Sequence, residues 1–255
     1  AINGPHDDGL FKVKVDHNFH AITAGYFYDS VHIQSIHLDT VMTSGWLPGY
    51  RQMIVKYDEN GEVLWVSRIG TTSWSVNDIT VDANNDIVLV GRFLDILSFY
   101  TIVNDNLVSK GASDGFIAKY SSLGEFNWAH QIGGEYSDRI SSVQLHENGN
   151  YLVASSTGSD SVYFDSVLLS NNYYNGAGIT LVLDPSGNYL HEIPLIGGGV
   201  LISDNKLDGA GGLITVGNIN SGPYWPVDFD PNPDQQFFSE EKGVGAFIHK
   251  MTLTD

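Results

Sequence analysis

The sequence predicts an all-β fold: a four-bladed β-propeller of four-stranded antiparallel blades with a period of about 63 residues. Three observations carry this expectation. The chain repeats itself at a fixed offset, each repeat holds four short strand-like runs, and no convincing amphipathic helix occurs in its 255 residues. A repeat sets the fold before any single element does, because each unit must bury its apolar face against a neighbour. Residues 51–70, RQMIVKYDENGEVLWVSRIG, align without a gap over residues 114–133, DGFIAKYSSLGEFNWAHQIG. Eight positions coincide: Ile54/Ile117, Lys56/Lys119, Tyr57/Tyr120, Gly61/Gly124, Glu62/Glu125, Trp65/Trp128, Ile69/Ile132 and Gly70/Gly133. The offset of 63 continues at residues 177–197, where His191 replaces the Trp, and a last copy begins near Gly245.

Between these segments lies the other half of the unit. Residues 79–93, ITVDANNDIVLVGRF, match residues 13–27, 143–157 and 205–219. Each unit is therefore two strands around an Asp/His-led turn, then an FIAKY-type third strand and an FNWAHQIG-type fourth. The turns DENG, SSLG and DPSG put Gly where a tight hairpin needs positive φ. Four antiparallel strands recurring at one period is the mark of a propeller, whereas a sandwich of unrelated hairpins needs no such register. The expected blades are 9–70, 76–133, 139–197 and 200–255, with the last strand of the fourth missing or partly supplied by residues 1–4.

The pattern x-FIAKY-x-x-x-G-x-x-x-W-x-x-x-IGG, followed by a VDxNNDIVLVG strand pair, resembles the bacterial β-propeller repeat called the SBBP repeat. The stretch VDFDP at 227–231 resembles the VDFDPG frequent in the same proteins. The resemblance covers essentially the whole chain. It implies a secreted or cell-surface protein of Bacteroidetes-type bacteria, with strand grammar similar to NHL repeats, and implies no particular activity.

Blade geometry directs function to one face. The short polar turns share the opposite face, while the long second-to-third connections, about 28–50, 94–113, 158–176 and 220–243, emerge together beside the entries to the first strands. Some contain paired strand-like pieces, SVHIQSIHLDTVMT and SVYFDSVLLS, expected as hairpins. Exposed rings expected there, Trp46, Trp74, Tyr136, Tyr174, Tyr224 and Trp225, suit stacking on the apolar faces of a glycan, or alternatively cover blade junctions. Trp65 and Trp128 repeat with the fold and are expected to pack within it.

Asp228, Asp230, Asn232 and Asp234 alternate like the first half of a calcium loop, although Pro233 stands where such a loop has Gly. A Pro-stiffened turn is the structural alternative. The nine histidines form no local zinc set, and His6-Asp7-Asp8 is the best local cluster for a metal. Asp78, Glu135, Asp138 and Asp204 lie near first-strand entries, where paired carboxylates would serve a hydrolase or lyase. Lys56, Lys119 and Lys250 recur at one strand position, which points to a structural role.

Charge removes several classes. With 12 Lys+Arg against 30 Asp+Glu, the net charge is −18, so nucleic acid and anionic membranes are disfavoured partners. Direct membrane insertion is not expected, since no apolar run approaches the roughly 20 residues of a spanning helix. No basic-led apolar segment opens the sequence, so a signal peptide is expected to be removed or absent. The absence of cysteine excludes disulfide scaffolding. The sequence thus predicts a non-enzymatic recognition or adhesion module, with calcium as its candidate cofactor and a glycan or surface protein as its partner. The unfinished fourth blade also invites a neighbouring domain or self-association by strand addition.

Overall fold

The computed structural model describes residues 2–36, 38–44, 49–70, 74–99, 106–170, 176–197, 199–221, 227, 229 and 243–253, with the side chains of 74, 170, 221 and 243 excepted. The first repeat contains β1 (Ile2–Asn3), β2 (Gly9–Val15), β3 (Ala21–Tyr28), β4 (Ser30–Gln34), β5 (Asp39–Thr43), β6 (Tyr50–Tyr57) and β7 (Val63–Ile69). The second adds β8 (Trp74–Val81), β9 (Ile87–Phe93), β10 (Ile96–Ser98), β11 (Asn106–Val108), β12 (Asp114–Tyr120) and β13 (Phe126–Gly133). The third comprises β14 (Asp138–Leu145), β15 (Tyr151–Thr157), β16 (Val162–Phe164), β17 (Val167–Ser170), β18 (Ala177–Leu183) and β19 (Tyr189–Ile196). The last holds β20 (Leu201–Leu207), β21 (Gly212–Ser221) and β22 (Gly243–Thr252). Strand pairing is antiparallel throughout, and no helix occurs among the described residues.

The repeat builds four successive sheets, β2-β3-β6-β7, β8-β9-β12-β13, β14-β15-β18-β19 and β20-β21-β22. Every first strand carries a bulge at the same place: Leu10/Lys12, Val76/Asp78, Ile140/Ser142 and Ile202/Asp204. A bulge turns one residue out of the ladder. That residue reaches the next first strand: Asn77 donates to the Ile140 carbonyl at 2.6 Å, and Ser141 to the Ile202 carbonyl at 2.6 Å.

The inserted connections are hairpins, β4–β5, β10–β11 and β16–β17. Each leans on the end of an outer strand. β16 pairs with β13, and the Gly70 N–H donates to the Ser98 carbonyl. Residues 2–3 do the same, pairing with β4. Among the described residues the pairing of Ile2 and Asn3 is with β4, and β22 pairs with β21 alone. Among the described residues no sheet closes on itself. Extended contacts join first to second, second to third and third to fourth, with no comparable junction between fourth and first.

The junctions are aliphatic. Ile79 and Val81 of the second sheet share a core with Ile22, Ala24 and Ile54 of the first, and Val143 shares one with Val88, Val90 and Ile117 of the second. Trp65 lies over Gly124 of the next sheet, where a Cβ would come within 2.9 Å of its ring, and Trp128 lies in the same way over Gly187. Both glycines also have positive φ, so turn geometry and close approach select the same residue.

A repeated ion pair fastens each first turn. One oxygen of Asp82 accepts the N–H groups of Asn84 and Asp86 at 2.9 and 3.0 Å, and the other accepts Lys119 Nζ at 2.7 Å. Asp16 with Lys56, at 2.9 Å, and Asp208 with Lys250, at 2.6 Å, repeat the pattern. Burial alone would raise the Asp82 carboxyl, but the Lys119 ammonium and the turn N–H groups outweigh it and hold it below the usual carboxylate range. In the third repeat both partners are replaced together, by His146 and Val182. Breaking a buried pair on one side leaves an uncompensated charge, so Lys119→Val is expected to cost about 3–5 kcal/mol in chemical denaturation. Adding Asp82→His is expected to recover part of that loss, and a double variant less stable than Lys119→Val would contradict the pairing argument.

Candidate functional site

The face carrying the first-strand entries is organised around Asp138, the first residue of β14 and almost fully buried. Its carboxylate accepts the N–H of Gly134 at 2.8 Å, the N–H of Gly158 at 3.1 Å and the hydroxyl of Ser159 at 2.8 Å, together with the Thr157 hydroxyl. The Asp138 N–H donates to the Ser113 carbonyl at 2.7 Å. Two connections are thereby pinned to one carboxylate and a third, at Ser113, to the backbone of the same residue, a charge-assisted arrangement that makes a loop region rigid.

Beside it lies Asp114, the first residue of β12 and fully buried. One oxygen accepts the Lys110 N–H at 3.1 Å and Gln131 Nε2 at 2.9 Å, while the other has no hydrogen-bond partner. Burial, with the Asp138 charge adding to it, pushes the Asp114 carboxyl up to about 6.

Two clefts open on either side of this carboxylate pair. One, of about 400 Å³, is lined by Lys110, Gly134, Glu135, Tyr136, Asp160, Ser161 and Tyr163. Tyr136 is 53% exposed, and its backbone is fixed by an N–H bond to Ser159 Oγ at 2.9 Å. The other, of about 390 Å³, brings Arg92 and Arg139 together with Ser156, Thr157 and Leu201 at the junction of three sheets.

No family model matches the chain. It is 25% identical, over 248 residues and 88% of its length, to the uncharacterized WD repeat-containing protein L264 of Acanthamoeba polyphaga mimivirus. The chain spans 17% of that protein. All-antiparallel sheets and this likeness fit a β-propeller repeat family.

Of the rings expected on this propeller face, Tyr136 lines a cleft. Trp74 is described through its backbone only, which pairs with Phe93, while Trp46, Tyr174, Tyr224 and Trp225 lie outside the described residues. So do all four residues of the expected calcium loop, Asp228, Asp230, Asn232 and Asp234. Among the described residues no three His, Asp or Glu side chains group as metal ligands, and His6 instead meets the edge of Tyr28. Asp78 and Asp204 are engaged separately, with the N–H groups of Val143 and Asn205. The carboxylate that approaches Asp138 is Asp114, which the sequence analysis missed. Its signal was departure from the repeat, since Arg51, Ala177 and Gly245 occupy the equivalent positions.

The raised Asp114 pKa fixes the sign of a pH effect. Between the unfolded value near 3.8 and about 6 the folded chain holds more protons than the unfolded one, so this group's contribution to stability falls as pH rises through that window. Asp114→Asn keeps the acceptor and removes the titration. The variant is expected to gain stability relative to the parent at pH 7 and to lose that advantage below pH 4, read as the difference in melting temperature. An advantage independent of pH would refute the assignment.

Proposed function

We propose that the chain is a non-enzymatic recognition module, part of a secreted bacterial β-propeller of the SBBP-repeat type, that binds a neutral glycan on the first-strand-entry face. The observation that carries this reading is the cleft at Tyr136. An exposed ring stands on backbone held rigid by Ser159 and Asp138, beside a second ring, Tyr163, and the polar groups of Lys110, Glu135, Asp160 and Ser161. Rings take the apolar face of a sugar while carboxylates, hydroxyls and amides take its hydroxyl groups. A rigid platform also lowers the ordering cost of binding. A four-bladed ring is the arrangement expected from the sequence, and the four sheets of the repeat support it as far as blade number.

A protein partner is the second reading, favoured by the likeness to a WD repeat-containing protein. The two are separated by glycan-array binding followed by calorimetry on the strongest hit. Tyr136→Ala and Tyr163→Ala are each expected to weaken binding about tenfold, which corresponds to about 1.4 kcal/mol. Binding unaffected by the double variant, or no neutral glycan bound at all, would remove the glycan reading.

A further inference from the structure

Arginine is scarce in this chain, which has four, at positions 51, 68, 92 and 139. Arg51 and Arg68 donate to backbone carbonyls, those of Tyr50 and Thr43. Arg92 and Arg139 instead line one cleft, the one of about 390 Å³ where the second, third and fourth sheets meet. Among the described residues neither guanidinium forms an ion pair, and Arg139 Nε is buried with no hydrogen-bond partner. A buried donor left unsatisfied is costly, and more so when it belongs to a charged group. The repeat does not account for that cost. The two arginines stand on the same rung of successive sheets, where the cross-strand pairs are Gly9–Tyr26, Ser75–Arg92, Arg139–Ser156 and Leu201–Asn218. No other copy holds a cation at either position, so the packing of the junctions, which recurs, does not call for one.

The acid of the cleft, Asp138, is already engaged. Its oxygens accept the N–H groups of Gly134 and Gly158 and the hydroxyls of Thr157 and Ser159. Two guanidiniums against that one carboxylate leave a single positive charge over, in a chain whose net charge is −18. A local positive spot attracts one anionic group, while the surrounding excess of acid repels a polyanion. The remaining wall is mixed. Val200 and the exposed Leu201 are apolar, whereas Gly158, Gly176 and Gly199 line the cleft with bare backbone. A small molecule with one charged group and an amphipathic body fits a cleft of this volume and lining.

We propose that this cleft binds the carboxylate of a small monoanionic ligand, about the size of one sugar acid, with Arg92 and Arg139 as its two cationic partners. The guanidinium fork presents parallel N–H donors that match a carboxylate. Such a group supplies the acceptor that Arg139 Nε lacks. A phosphate dianion offers the same acceptors but carries a second charge that the cleft does not balance. The residues lining the Tyr136 cleft line no part of this one, so the inference does not rest on the neutral-glycan reading.

Calorimetry on the 255-residue chain with sodium D-glucuronate at low ionic strength tests it, with glucose as the neutral comparison and glucose 6-phosphate as the dianionic one. Glucuronate is expected to bind at least about tenfold more tightly than either. Arg92→Gln and Arg139→Gln are each expected to weaken its binding about tenfold, the effect of losing a hydrogen bond to a charged group. Arg139→Lys keeps the charge without the fork and is expected to fall between the parent and Arg139→Gln. Arg92 is exposed, so Arg92→Gln tests the cleft even where a change at the half-buried Arg139 disturbs folding. No binding of glucuronate, binding of glucose or glucose 6-phosphate as tight as that of glucuronate, or full affinity in Arg92→Gln would overturn the proposal.

Discussion

The structure depends on a face-to-face contact between consecutive sheets. A single sheet of this repeat is apolar on both sides, with Val88, Val90 and Ile117 on one face and Leu89, Phe93 and Phe116 on the other. Burying one such side chain contributes about 1.5–3 kcal/mol, so a sheet with one face in water forgoes a large part of its stabilisation. Stability in repeat arrays is accordingly a sum over units and their nearest-neighbour interfaces. The chain satisfies that demand three times, and the sequence differences between copies are mostly those the interfaces tolerate.

The polar repeats follow from the same contact. A lysine buried between sheets needs a carboxylate, and the turn between first and second strands supplies one already fixed by its own N–H bonds. Asp82 is therefore cap and counter-ion at once, and Tyr151 of the following sheet donates its hydroxyl to it at 3.1 Å. The paired loss of both members in the third repeat shows the logic from the other side. Val182 needs no counter-ion, and His146 replaces the aspartate without leaving an unpaired carboxylate. Trp65 makes the equivalent bond from the outer strand, its indole N–H reaching the Ser122 carbonyl of the next sheet at 3.1 Å.

This division explains what could be read from the sequence. Features that recur, such as the strand order, the Gly61, Gly124 and Gly187 turns and the Lys positions, were legible because a repeat compares the chain with itself. The inserted hairpins were legible in outline from alternating runs such as SVYFDSVLLS. Their attachment to an outer strand of the neighbouring repeat was not, since only two residues pair and no pattern marks them. Residues 1–4 resemble the end of an outer strand in sequence, and the structure gives Ile2 and Asn3 that place relative to β4. Asp138 was legible as a carboxylate at a first-strand entry, but its approach to Asp114 was not, because the two open strands of successive repeats and only the connections around them bring them together.

The proposed recognition site follows the same contrast. Positions held constant across copies serve the junctions, where Ile, Trp, Gly and the Lys–Asp pair meet the same need each time. Asp114 and Tyr136 have no identical counterpart in the other copies, whereas Asp138 recurs as Asp8, and the three gather at one end of the sheets. The buried Asp138 carboxylate stabilises two connections at once, yet a second carboxylate raised toward neutrality beside it costs stability that packing alone would not require. Strained or costly polar arrangements persist where the surrounding structure over-determines them, and such places are disproportionately binding sites. The repeat thus supplies the scaffold, and the raised Asp114 carboxyl lies at the end of the sheets where Tyr136 is held.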